Sequence, residues 1–111
     1  MKRYCLALDL VDDPKLIQKY ENWHKPGNGW PEISQHILDS GIINMQIYRT
    51  GNRMVMLMET TDEFTFERQA ELGLANDRSQ EWESLMWGYQ QPLPWAKPGE
   101  KWLLMDQIFQ L

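Results

Sequence analysis

Tyr20 and His24 stand four residues apart, so on a helix they leave one face about a turn apart. An imidazole there suits proton transfer near neutral pH. The same His24 would also serve as the positive group at a helix C-terminus, where imidazolium is favoured. Tyr20 would equally serve as a core aromatic with its hydroxyl in water. His36, the other histidine, has polar neighbours and reads as exposed. The second feature is six tryptophans in 111 residues. Flat aromatic faces are platforms for rings with apolar C–H faces, such as sugars. Trp82 shares a helical face with Met86, which fits a core role as well as a binding one. Trp23, Trp87 and Trp95 fit core or subunit contacts. Asp9, Glu59 and Asp106 fall where strand alternation turns them toward a sheet face. Each could accept hydrogen bonds from hydroxyls, or be an edge charge that discourages aggregation. No Ser-His-Asp spacing, carboxylate pair or phosphate loop is present.

The bulk composition narrows the field. Eleven basic against sixteen acidic residues give a net charge of −5, without the basic stripe of a nucleic-acid binder. No apolar run approaches the roughly 20 residues of a bilayer span. Asp9 and Asp12 interrupt the apolar stretch near Met1, so a cytoplasmic protein is expected. A lone cysteine, Cys5, rules out an intrachain disulfide and a multi-thiolate metal site, and two histidines are too few for a His-rich one. At this length one domain is expected.

These residues need elements to hold them. Residues 4–10 read as a strand, with Leu6, Leu8 and Leu10 on one face. Asp13-Pro14 opens a helix carrying Leu16, Tyr20 and Trp23 in one stripe, closed by Pro26-Gly27-Asn28-Gly29. Trp30-Pro31-Glu32 opens a short helix that stops at Gly41. Residues 42–49 and 53–60 form a hairpin around Gly51-Asn52. Met54, Met56 and Met58 on one face and Val55 and Leu57 on the other predict a strand buried on both sides. Thr61-Asp62 is expected to cap a helix over 63–72, and Asp77 with Gln80 resembles a capping box for one over 78–89. Residues 90–101 read as an ordered arm because of Leu93 and Trp95, and 102–110 as a last strand. The order is the α+β, ferredoxin-like split βαβ pattern, with a four-stranded antiparallel sheet covered by helices on one face. Apolar residues on both faces predict that a second copy covers the other, giving a homodimer with a partly enclosed pocket.

Tyr20-x-x-x-His24, Trp30-Pro31-Glu32, Gly41-Ile42-x-Asn44-x-x-Ile47-Tyr48, Asn52-Arg53 and Trp82 together resemble the L-rhamnose mutarotase family. The likeness runs over nearly the whole chain and implies a single mutarotase-like domain, residues 1–111, in a dimeric α/β ferredoxin-like barrel. It implies interconversion of the α and β anomers of L-rhamnose without a cofactor or metal, with His24 as proton donor and Tyr20 and Trp82 as sugar contacts. The general base stays open between Tyr20, a carboxylate and a water. The chain departs from the family pattern in a longer spacer over Lys25–Gly29, in Met45 where the family has a tyrosine, and in Glu83 where it has a second tryptophan. These changes make L-fucose the competing 6-deoxyhexose. Fold analogy alone also admits a cofactor-free monooxygenase or a non-catalytic small-ligand-binding module.

Overall fold

Leu8 and Leu10 are fully enclosed because the first strand, β1 (Lys2–Leu10), runs through the middle of the sheet. The computed structural model describes all 111 residues. β1 pairs antiparallel with β3 (Arg53–Thr60) from Lys2↔Thr60 to Asp9↔Arg53. β3 continues into the edge strand β2 (Ile42–Thr50) through the two-residue turn Gly51-Asn52. Gly51 has φ +57, a conformation that glycine adopts without a Cβ penalty. The other side of β1 is shared by two short pieces, β4 (Gln90–Gln91) beside Asp9 and Leu10, and β5 (Leu103–Leu104) beside Leu6 and Ala7. The strand order β2-β3-β1-β4 is that of a ferredoxin-like domain, with its fourth strand divided in two.

Directly opposed residues of antiparallel strands share a face, so Leu8 with Met54 and Leu6 with Met56 build the covered side. Tyr20 of α1 (Pro14–Trp23) and Met86 of α4 (Asp77–Trp87) pack on Leu8, Leu10 and Met54. Ile37 of α2 (Pro31–Asp39) and Phe64 pack on Leu6, Met56 and Met58. α3 (Phe66–Leu74) and α2 both lie along α4. Removing one side chain of the Leu8 kind from water contributes about 1.5–3 kcal/mol. No helix is long and apolar enough to cross a membrane.

Several expectations are corrected. β3 is buried on its methionine face only; on the other, Val55 is half-buried and Leu57 is 36% exposed, because the chain supplies no helix to that side. α3 begins at Phe66 rather than 63. Thr61 N–H bonds the Gly41 carbonyl at 2.9 Å, Asp62 pairs with the chain's N-terminal ammonium, and Phe64 is drawn into the core before the helix starts. Thr65 is the cap, its hydroxyl oxygen accepting from Arg68 N–H at 3.2 Å. α4 is capped by Asn76, which accepts from Ser79 N–H at 2.9 Å, while Gln80 reaches Gly73 instead of closing a box with Asp77. Gly88 ends it two residues early. His36 is half-buried rather than exposed, α2 being packed against α4. The last strand shrinks to Leu103–Leu104; beyond Met105 nothing in the chain covers the tail, and Ile108 is 95% and Phe109 76% exposed. The arm is ordered as expected: Leu93 is buried, and the exposed Trp95 lies 5.0 Å from the Arg53 guanidinium.

Candidate active site

The last turn of α1 aims three rings the same way. α1 starts where Asp13 accepts from the N–H groups of Lys15 and Leu16 at 2.9 and 3.2 Å, with Pro14 supplying the helical φ. It stops at His24, whose backbone folds into the turn Lys25–Gly29. There Gly27 has φ +84, and the Asn28 side chain donates to the Asn22 carbonyl at 2.7 Å. The chain then returns with Trp30 immediately before α2. Trp30, Trp23 and His24 thus surround Trp82 of α4.

Trp82 is the hub of the group. Its ring meets Trp30 at 5.1 Å and 63°, Trp23 at 5.8 Å and 88°, and His24 at 6.1 Å and 66°, all edge-to-face. Tyr20 lies 4.4 Å from the His24 ring. The Arg78 guanidinium lies over the Trp30 ring at 3.6 Å, so that ring has a second partner besides Trp82. The structure therefore brings together all three residues singled out from the sequence, Tyr20, His24 and Trp82.

Proton chemistry follows from the partners. His24 Nδ1 lies 2.8 Å from the carbonyl oxygen of Tyr20. A carbonyl only accepts, so Nδ1 carries a proton and Nε2 is left free. Tyr20 is 4% exposed, and burial raises its phenol above the ordinary 10.0. A hydrogen bond from Gln90, Nε2 to Oη at 3.2 Å, opposes that rise, and the charge of Glu83 adds to it. The hydroxyl is thus neutral throughout the neutral range. Tyr89, not singled out from the sequence, accepts a hydrogen bond from the Trp23 indole at 3.2 Å.

The strand carboxylates do not join this group. Asp9 is spent on Arg53 in a two-pronged bond of 2.8 and 3.1 Å, on the sheet face away from Tyr20. Glu59 follows on that same face, and Asp106 lies in the exposed tail. The carboxylate whose charge reaches Tyr20 is Glu83, paired with Lys101 at 2.9 Å. Met45 packs against the buried cluster of Leu6, Met56 and Met58.

A histidine set among edge-to-face rings, on an open ferredoxin-like sheet, marks the class: a small α+β domain with an aromatic-lined candidate site. Comparison with known proteins gives that class a family. The sequence model of L-rhamnose mutarotase matches residues 3–111. An L-fucose mutarotase of Xanthomonas campestris pv. campestris is 42% identical over 111 residues, covering 100% of this chain and 89% of the relative. A protein of Dictyostelium discoideum is 34% identical over 117 residues, covering 99% and 90%. Among solved structures, an L-rhamnose mutarotase from Formosa agariphila superposes with a TM-score of 0.71 at 18% identity, covering 100% of this chain and 99% of that one. Tetracenomycin F2 cyclase from Streptomyces glaucescens, a type-II polyketide cyclase, gives 0.63 at 14% with the same coverage, a likeness of fold alone. The chain belongs to the L-rhamnose mutarotase family, and is thereby an isomerase acting on carbohydrates.

Proposed function

We propose that the protein interconverts the α and β anomers of a 6-deoxyhexose, with His24 as the acid–base residue and Tyr20 and Trp82 as sugar contacts. The observation that supports the assignment is the anchored Nδ1 of His24, which leaves Nε2 without a protein partner on an exposed residue beside the Tyr20 and Trp82 rings. When His24 is charged, Nε2 carries the proton that the ring oxygen takes up as the C1–O5 bond breaks. A base removes the anomeric hydroxyl proton in the same step, giving the open aldehyde. The C1–C2 bond rotates, and closure runs the transfers backward, with neutral Nε2 now accepting. Burial keeps Tyr20 neutral, so it serves as a hydrogen-bond partner, and the anomeric proton goes to water or to Glu83. The relative named L-fucose mutarotase supports L-fucose over L-rhamnose as the sugar.

Saturation-transfer NMR on each sugar tests the assignment. Anomer exchange above the spontaneous rate is expected, faster with L-fucose; its absence with both would overturn the reading. Tyr20→Phe keeps the ring and should weaken sugar binding while leaving part of the exchange rate. Because burial raises the Tyr20 phenol above 10.0, no fall in activity below about pH 10 should trace to it. The same shift favours folding below the unfolded-state phenol pKa, and that contribution is lost as pH rises through the higher folded value. An alkaline limb below that range that vanishes in Tyr20→Phe would contradict this.

The same proposal includes a homodimer. Tyr48, Val55 and Leu57 share the uncovered sheet face, and the exposed tail adds further apolar surface. Leu57→Glu is expected to leave monomers in sedimentation at micromolar concentration; a wild type that is already monomeric would rule the dimer out. A cytoplasmic location belongs to this reading, in keeping with the free thiol of Cys5.

A further inference from the structure

We propose that Tyr89 is a second hydroxyl donor to the sugar, paired with Tyr20, and that Trp23 is the positioning residue that turns its proton toward the ligand. The inference rests on the sugar-binding part of the reading above.

The argument is one of hydrogen-bond inventory. An indole N–H only donates, so in the 3.2 Å contact between Trp23 Nε1 and Tyr89 Oη the phenol oxygen is the acceptor. The proton of Tyr89 then points away from Trp23. Tyr20 stands in the same relation to Gln90, whose Nε2 donates to its oxygen at 3.2 Å. Neither phenol donates to any protein acceptor, and no buried side-chain polar atom is left unpartnered. Both hydroxyl protons are therefore left untaken by the chain, one on the half-buried Tyr89 and one on the nearly enclosed Tyr20.

The placement fits a shared ligand. The Tyr20 and Tyr89 rings are 6.1 Å apart at 62°, while Tyr20 stacks on His24 and Trp23 stands edge-on to Trp82. Tyr89 is thus joined to both walls of the candidate site. Its backbone is pinned as well: its N–H donates to the Met86 carbonyl and its carbonyl accepts from Val11 N–H, both at 2.9 Å. A donor fixed in this way needs little reordering on binding. A pyranose offers ring and hydroxyl oxygens that accept from neutral phenols, and two fixed donors would select among sugars by where those oxygens lie. The alternative is that the Trp23–Tyr89 bond only ties α1 to the end of α4.

A double-mutant cycle separates these roles. Dissociation constants for L-fucose and L-rhamnose are measured by ligand-observed NMR, with exchange rates and thermal midpoints alongside, for wild type, Tyr89→Phe, Trp23→Phe and the double variant. Tyr89→Phe should weaken binding of the preferred sugar by about tenfold, with kcat changed by less than about threefold. Trp23→Phe should give a smaller loss alone and add nothing in the Tyr89→Phe background, because its effect runs through the missing hydroxyl. Unchanged affinity in Tyr89→Phe, or additive losses in the double variant, would overturn the proposal. A lowered midpoint with unchanged affinity would reduce the bond to a structural tie, which also overturns it. If wild type binds a sugar without exchanging its anomers, the catalytic reading fails while the binding cycle still decides the role of Tyr89. If wild type binds neither sugar, both fall.

Discussion

Replacing His24 by alanine should lower catalysed anomer exchange by about 10²–10⁴-fold, the usual contribution of one positioned acid–base group. No other ring that meets Trp82 can substitute. Trp23, Trp30 and Trp82 have no titratable group, and burial holds Tyr20 in its neutral form. The fold should survive, because His24 is exposed and makes only one side-chain hydrogen bond, to the backbone carbonyl of Tyr20. A stability loss of about 1 kcal/mol or less is expected. That mismatch between a large kinetic and a small thermodynamic effect is the signature to look for. The pH dependence of exchange should also lose whichever limb His24 contributes. If His24 were only a charge at the end of α1, the pattern would invert, with a slightly lowered thermal midpoint and exchange near the wild-type rate. That second pattern would remove His24 from the mechanism even though the family assignment stood.

Much of this arrangement was legible in the sequence because short-range rules decide it. Asp13-Pro14 fixes the start of α1 and the Pro-Gly-Asn-Gly turn fixes its end, so Tyr20 and His24 must share a face. Alternation in 53–60 gives the register that puts all three methionines under the helices. The failures lie where long-range contacts overrule local chemistry. Thr61-Asp62 looks like a cap, yet the Thr61 N–H is held by the Gly41 carbonyl and Asp62 is taken by the N-terminus. The alternation in 102–110 is genuine, but a strand needs a covered face, and this chain offers one only as far as Leu104. Glu83 was marked only by standing where the family has a second tryptophan, and Tyr89 only by its helical spacing from Trp82 and Met86. One acts through its charge on Tyr20, and the other through a bond spanning 66 residues.

Trp82→Ala should weaken sugar binding and stability together, which distinguishes it from His24→Ala. The ring is half-buried and meets three other rings edge-to-face at 5.1–6.1 Å. Each such pair is worth about 0.5–1.5 kcal/mol beyond burial. A fully buried tryptophan cut to alanine costs about 3–5 kcal/mol, so a half-buried hub should cost about 2–3. Trp30 loses one partner while the Arg78 guanidinium remains, so the Lys25–Gly29 turn should loosen without detaching. His24 loses one of its two aromatic neighbours and its Nε2 is less well aimed, so exchange should fall by about tenfold even at saturating sugar. Trp82→Phe offers the control. It keeps an aromatic edge for Trp23 and Trp30, so most of the stability should return, while the smaller face recovers only part of the sugar affinity. Indole emission gives a direct readout, because millimolar L-fucose or L-rhamnose should change wild-type fluorescence and leave that of Trp82→Phe nearly unchanged. If sugar shifts the emission of both proteins equally, the stacking platform is another of the six tryptophans, and Trp30, the ring nearest Trp82, is the first to replace.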